Sequence, residues 1–406
     1  QVTALGGGLL IGTWSHENGH MICNFPDLYS YNNGAANVGR YSLMSSGNYA
    51  DGQRHPTSID SYLKFHAGWM DVVELDSSSH QRCVVQVDGN QLYRYKNPAK
   101  PQEYFTFEVR DNTGYEGPYG GSGVSVNPGT GLVVYHNKED GSNTQGTIFT
   151  ADNPNSDYTK PYEAMIVEAN PTTAKTPWYD DPTPDSGDGF RASGESSISD
   201  STIPALKFWD ATGRNTSDGV DVHSISADGP VMTFVIGSGA PTGVASVGLS
   251  RNTIKTTCDY GSNAASQTFA IINSQSGTLN YNVSDNAAWL SCDVASGSAT
   301  TEADLVNVSF QTDSLAPGLY LGTITVDDGG TNSETIVVEL TVYEQPTLAV
   351  NTTSLTSNGF AGVVGPDMSF ELSNPGGGTA AYTLSKTATW LTLSHTSGTV
   401  MHEVDF

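Results

Sequence analysis

The sequence predicts an α+β segment at the amino terminus, then an all-β remainder that ends in two tandem β-sandwiches. Three observations carry this. The two convincing helical patterns, Thr13 to Cys23 and about Ser58 to Gly68, both fall in the first 80 residues. From residue 83 to 236, β-like runs such as Tyr104–Val109, Gly131–Tyr135, Ala164–Glu168 and Val231–Ile236 alternate with Gly/Asn/Asp loops. In the last 160 residues, Phe269, Gly277-Thr278, Tyr281, Trp289-Leu290 and Ser296-Gly297 recur as Phe370, Gly378-Thr379, Tyr382, Trp390-Leu391 and Ser397-Gly398, each offset by 101. A period near 100 residues built from short strands suits two immunoglobulin-like (Ig-like) sandwiches.

Composition narrows the function classes. The 406 residues carry 17 Lys plus Arg against 43 Asp plus Glu, a formal charge of −26. Phosphate binding needs clustered basic side chains, so a nucleic-acid partner is excluded, and an anionic membrane surface is disfavoured. Charged residues are only 15%, too few for a disordered polyelectrolyte. No run approaches the roughly 18 apolar residues of a transmembrane segment. The chain opens at Gln1 without a signal peptide and stops at Phe406 within the second repeat. It reads as a fragment of a longer precursor.

The expected organisation is an α+β part over 1–80, a β-rich region over 81–237, a linker over 238–246, one sandwich over 247–343 and a truncated second copy over 347–406. Gly237-Ser-Gly-Ala-Pro-Thr-Gly243 is a linker by composition. Four cysteines are too few for a disulfide scaffold and lack zinc-ribbon spacing. The positions matching Cys258 and Cys292 in the second copy are Gly359 and Leu393. Their joint absence points to a Cys258–Cys292 disulfide; two unrelated buried thiols are the alternative.

The chemistry-bearing segment is Gly12-Thr-Trp-Ser-His16-Glu17-Asn-Gly-His20-Met-Ile-Cys-Asn24-Phe-Pro-Asp27. His16 and His20 are four apart, so a helix puts both imidazoles on one face, where one tetrahedral zinc needs them. Glu17 falls beside the metal, placed to take a proton from water and pass it to a leaving amine. Two surface histidines on a helix are the bland alternative. In metzincins a Gly ends the helix and the third ligand follows three residues later. Here Cys23 stands at the Gly position. Asn24, which tolerates the left-handed conformation, follows it, and Asp27 comes three residues after Asn24. Asp27 is therefore the expected third ligand, with a turn carboxylate or a calcium ligand as alternatives. Met44 lies 24 residues after His20 among small residues, as a metzincin Met-turn would.

With these words in place, residues 13 to 75 resemble the immune inhibitor A-like zinc metallopeptidases of secreted bacterial proteins. The shared words are His16-Glu-Asn-Gly-His20, Phe25-Pro-Asp27-Leu-Tyr29, Tyr41-Ser-Leu-Met44-Ser-Ser-Gly47 and Ala67-Gly68-Trp69. Further similar words, among them Glu103–Arg110, Gly131–His136 and Ile166–Ala169, extend the resemblance over roughly residues 10 to 237. It implies a zincin-like catalytic fold with His16 and His20 as metal ligands, Glu17 as catalytic base and Met44 as the Met-turn. The departure at Cys23, with one extra residue before Asp27, touches only the third ligand. The tandem repeats resemble BACON domains, Ig-like modules of secreted gut-type Bacteroidetes proteins, through Ala288-Trp-Leu-Ser291, Ser296-Gly297 and Ala316–Val326. That resemblance implies a spacer, or a module adhering to glycans or mucin.

Other features carry less. Asp180-Asp-Pro-Thr-Pro-Asp185-Ser-Gly-Asp188 is an acidic loop suited either to calcium or to a solvated turn. His136 reads as a satisfied half-buried histidine, and Trp289 and Trp390 as core tryptophans of the repeats. Gly6-Gly-Gly8 lacks the Lys-Ser/Thr of a phosphate loop.

The sequence thus predicts a secreted bacterial zinc endopeptidase acting on protein or peptide substrates. Glu17 would assist attack of a zinc-bound water, with zinc on His16, His20 and Asp27. The residues that form the substrate-binding edge of a zincin would precede Gln1, so residues 1–406 alone are expected to be weakly active or inactive. The rival class is a non-catalytic adhesin or glycan-binding protein with a vestigial metal site, and a calcium-stabilised spacer is a third.

Overall fold

The computed structural model describes residues 10–31, 38–112, 129–144, 162–170, 187–210, 213–358 and 364–401. Strands dominate, and helix among the described residues is confined to positions 12–66. Helix α1 spans Gly12–Cys23, two 3-10 segments cover Gly39–Tyr41 and Ser46–Gln53, and helix α2 spans Ser61–His66. Helix α2 is shorter than its apolar pattern suggested. It starts where the buried Asp60 carboxylate accepts the Leu63 N–H at 3.1 Å, an N-cap worth about 1 kcal/mol. Among the described residues no helix is long and apolar enough to cross a membrane.

Two sheets follow. The first has strand order Asp71–Leu75, Gln91–Asn97, Lys100–Arg110, Gly131–Lys138 and Ala164–Val167. Its first pair is parallel and the others are antiparallel. The second has the order Gln81–Gln86, Val231–Ile236, Asp221–His223 and Ile198–Ser199. The first sheet is buried on both faces. Phe105, Phe107, Val109, Leu132 and Val134 point into a core shared with Cys83, Val85 and Phe234 of the second sheet. Tyr104, Val133, Tyr135 and Ile166 point the other way and pack against Phe25, Leu28, Tyr41, Met44, Tyr62 and Leu63. A single alternation along each strand therefore serves two cores.

Arg110 ends the central strand at 2% exposure. Its guanidinium donates to the Tyr41 carbonyl at 2.9 Å and to Ser58 Oγ at 2.6 Å, and pairs with Glu108 at 3.0 Å. A buried guanidinium needs such partners, so the sheet and the 41–59 loop are held in one position.

Residues 247–342 form a sandwich. Its four-stranded sheet runs Val247–Leu249, Gln267–Asn273, Ala303–Phe310, Leu290–Cys292. Its five-stranded sheet runs Thr253–Cys258, Ser333–Val342, Gly318–Asp327, Leu279–Asp285, Ser296–Ala299. The second copy repeats one hairpin at the same offset: Tyr281 opposes Gly297, and Tyr382 opposes Gly398. A second echo escaped the sequence reading. Asn273 Nδ2 donates to the Gly277 carbonyl at 2.9 Å, and Asn374 Nδ2 to the Gly378 carbonyl at 3.0 Å. The tryptophans differ. Trp289 packs against Phe310 and Tyr320. Trp390 is 84% exposed, so the core role expected for it is corrected.

The Gly-rich connection does not leave the sandwich loose. Val84 of the second sheet shares a small core with Ala270 and Ile272. Arg82 Nη1 donates to the carbonyls of Asn273 at 2.6 Å and Thr300 at 3.0 Å. Gln86 Nε2 donates to the Thr268 carbonyl at 3.0 Å, and Ser250 donates to Gln86 Oε1.

The expected Cys258–Cys292 disulfide is corrected, because all four cysteines are free thiols. Cys258 Sγ lies 3.3 Å from Thr312 Oγ1. The Cys292 thiol is pushed up to about 11 by burial, then by Asp285 and Asp293.

Two expectations follow. Arg82→Ala should lower stability by roughly 2–3 kcal/mol, read as a drop in denaturant midpoint; an unchanged midpoint would mean the interface contributes nothing. Cys292 in the folded protein should alkylate slowly at pH 8 and about tenfold faster per added pH unit up to 11, because the thiolate is the nucleophile. Peptide mapping after iodoacetamide reads this, and a flat pH profile would contradict the raised thiol.

Candidate metal centre

Helix α1 buries one narrow face, made of Gly12, His16 and Gly19. Asn24 ends it in the left-handed conformation at φ 54°, as expected from its residue type. The Asn24 N–H bonds to the His20 carbonyl at 3.1 Å, and the Phe25 N–H to the Gly19 carbonyl at 3.2 Å. This turn brings Asp27 back against the helix.

The structure brings His16, His20 and Asp27 together. His16 Nε2 lies 3.0 Å and His20 Nε2 3.2 Å from Asp27 Oδ1, and the two Nε2 atoms are 3.2 Å apart. Among the described residues this is the group of His, Cys, Asp or Glu side chains placed to hold a metal ion. A tetrahedral zinc with bonds of about 2.0–2.2 Å sets its ligand atoms about 3.3 Å apart, so a triangle of this size fits. Asp27 Oδ1 is buried and accepts no well-directed hydrogen bond, although two ring nitrogens lie beside it. Three donor atoms this close together, one of them an orphaned carboxylate oxygen, are what a shared cation would satisfy.

The rings are oriented from behind. His16 Nδ1 donates to the Leu43 carbonyl at 2.9 Å, and His20 Nδ1 to the Phe25 carbonyl at 2.6 Å. Both Nε2 atoms then carry free lone pairs, the tautomer a metal ligand needs. The loop that orients His16 also fixes Asp27, because the Leu28 N–H donates to the Met44 carbonyl at 2.8 Å. Met44 is fully buried, and a Cβ at Gly19 would come within 2.6 Å of its Sδ. The thioether thus floors the helix at Gly19. Glu17, next to His16 on α1, faces solvent.

Sequence reasoning missed Tyr31. Its hydroxyl donates to Asp27 Oδ2, and its ring packs 5.4 Å from that of Tyr29. The bond to Asp27 holds the Tyr31 phenol well above its usual value, and burial followed by the Asp27 charge raises Tyr29. Only the recurrence of tyrosine after Asp27 hinted at this in the sequence. His136, read as half-buried, is fully buried and pairs with Glu103 at 2.8 Å under the Trp209 ring. Most of the acidic loop proposed for calcium, residues 180–186, lies outside the described residues, as does Gly6–Gly8.

A viral BACON domain model matches residues 250–343 and 347–405. These are the two copies that the 101-residue offset marks, so the BACON resemblance of the repeats stands. No peptidase family model matches the chain, and no curated protein matches it. Among solved structures, a Bacteroides ovatus GH5 xyloglucanase in complex with a heptasaccharide is similar at 17% identity and TM-score 0.20, over 25% of this chain and 19% of that one. The PapD-like domain 7 of human CEP192 is similar at 12% identity and TM-score 0.22, over 26% of this chain and 89% of that one. A Porphyromonas gingivalis W83 protein of unknown function is similar at 13% identity and TM-score 0.22, over 38% and 79%. The chain therefore spans about a fifth of the xyloglucanase's length.

Gly19→Ala should force Met44 aside and cost about 1–3 kcal/mol, with a parallel loss of metal affinity. A thermal scan with and without zinc reads both, and an unshifted apo melting temperature would show that the contact is slack.

Proposed function

We propose that the chain carries the metal centre of a secreted zinc-dependent endopeptidase. The observation that supports this reading is the proximity of His16 Nε2, His20 Nε2 and the orphaned Asp27 Oδ1, within 3.2 Å of one another, with Glu17 the residue after His16 in α1. Three protein donors leave one position of a tetrahedron open, the arrangement of catalytic rather than structural zinc. A zincin-like fold around α1, and protein or peptide substrates, belong to the same proposal.

Zinc, when bound, supplies a Lewis acid that polarises a carbonyl and makes water easier to deprotonate. The chain's own residues do the rest. His16, His20 and Asp27 hold the cation, and the Leu43 and Phe25 carbonyls keep the two rings in the ligating tautomer. Glu17 reaches solvent, so its carboxylate can take a proton from the attacking water and return it to the departing amine. Met44 keeps the floor beneath the helix apolar and rigid.

In a form of the protein that cleaves casein, Glu17→Gln should keep wild-type zinc stoichiometry while cleavage falls by about 10²–10⁴-fold. His16→Ala should lose the zinc itself. Chelator-sensitive cleavage that survives Glu17→Gln would overturn the role of Glu17. Zinc content unchanged in His16→Ala would overturn the site.

A further inference from the structure

We infer that Tyr31 is a positioning residue that confines Asp27 to ligation through one oxygen and so keeps the fourth coordination position open. This rests on the metal-centre reading above and goes beyond it by giving a role to a residue outside the histidine motif.

A carboxylate offers a cation either one oxygen or two. In this site the two oxygens of Asp27 have different surroundings. Oδ1 faces both imidazoles at 3.0 and 3.2 Å and accepts no well-directed hydrogen bond. Oδ2 accepts the hydroxyl of Tyr31. That hydrogen bond to an ionised oxygen is of the strong, charge-assisted kind. It opposes the rotation that would swing Oδ2 towards the histidines. Tyr31 is itself tethered, because its N–H donates to the Thr144 carbonyl at 3.3 Å and its ring packs against Tyr29. Tyr29 packs in turn against His16, with ring centroids 6.4 Å apart. The phenol is therefore held from two sides.

The consequence is a matter of coordination number. With Oδ2 occupied, the chain offers three donor atoms. With Oδ2 released, it offers four, and the place for water or a substrate carbonyl is contested. Loss of an outer hydrogen bond to a ligand costs about 10–100-fold in metal affinity. The Tyr31 side chain is 63% exposed, so removing its hydroxyl leaves the packed cores intact.

The test is cobalt titration of the 406-residue chain, because cobalt reports its coordination number through its visible absorption. The wild type should bind one equivalent with the intense bands of a four-coordinate ion, and His16→Ala should abolish them. Tyr31→Phe should bind cobalt about 10–100-fold more weakly and with weaker bands, those of a higher coordination number, at an unchanged melting temperature. If Tyr31→Phe matches the wild type in both affinity and spectrum, the role of Tyr31 is overturned and the metal centre stands. If the wild type takes up no cobalt that depends on His16, the metal-centre reading fails and this inference fails with it.

Discussion

A buried arginine ties the site to the sheet. Arg110 ends the central strand, and its guanidinium reaches the Tyr41 carbonyl and Ser58 Oγ across the layer boundary. Such a group is tolerated in the interior only when its donors are satisfied, so the loop cannot drift without exposing an unpaired charge. That loop contains Leu43 and Met44, whose carbonyls orient His16 and anchor the backbone next to Asp27. The position of the His16 and Asp27 donor atoms is thus set from a strand more than 80 residues downstream of His20.

The same arrangement explains why the first sheet looks so apolar. Each of its inner strands alternates between two cores rather than between core and water. Glu103, buried inside it, pairs with His136. Burial raises the Glu103 carboxyl, but the hydrogen bond and charge of His136 outweigh this and hold it below its usual value. Beyond the second sheet, Arg82, Val84 and Gln86 face the Ig-like sandwich instead of solvent. One strand therefore serves both its own core and the next module.

Much of the site was legible because its signals are local. The i, i+4 histidines need only a helix, and Asn24 ends that helix because its side chain tolerates positive φ. Asp27 followed from counting residues past that turn. Tyr31 was not legible, since a hydrogen bond to one particular carboxylate oxygen has no sequence spacing of its own. The Gly19–Met44 contact was hidden for a related reason: nothing in the sequence says that one lies under the other. The disulfide inference failed because joint absence in a repeat measures history, whereas bond formation needs two sulfurs at bonding distance.

By itself the sequence determined the periodic features: the β-rich composition, the 101-residue repeat that the BACON match echoes, and a helix with two histidines on one face. These depend on spacing along the chain, which folding does not alter. Only the tertiary structure decided which carbonyls orient the imidazoles, which Asp27 oxygen faces them, and how closely the sandwich is held to the preceding sheets. Those depend on contacts between residues far apart in sequence, where packing and the pairing of buried polar groups select one arrangement from many.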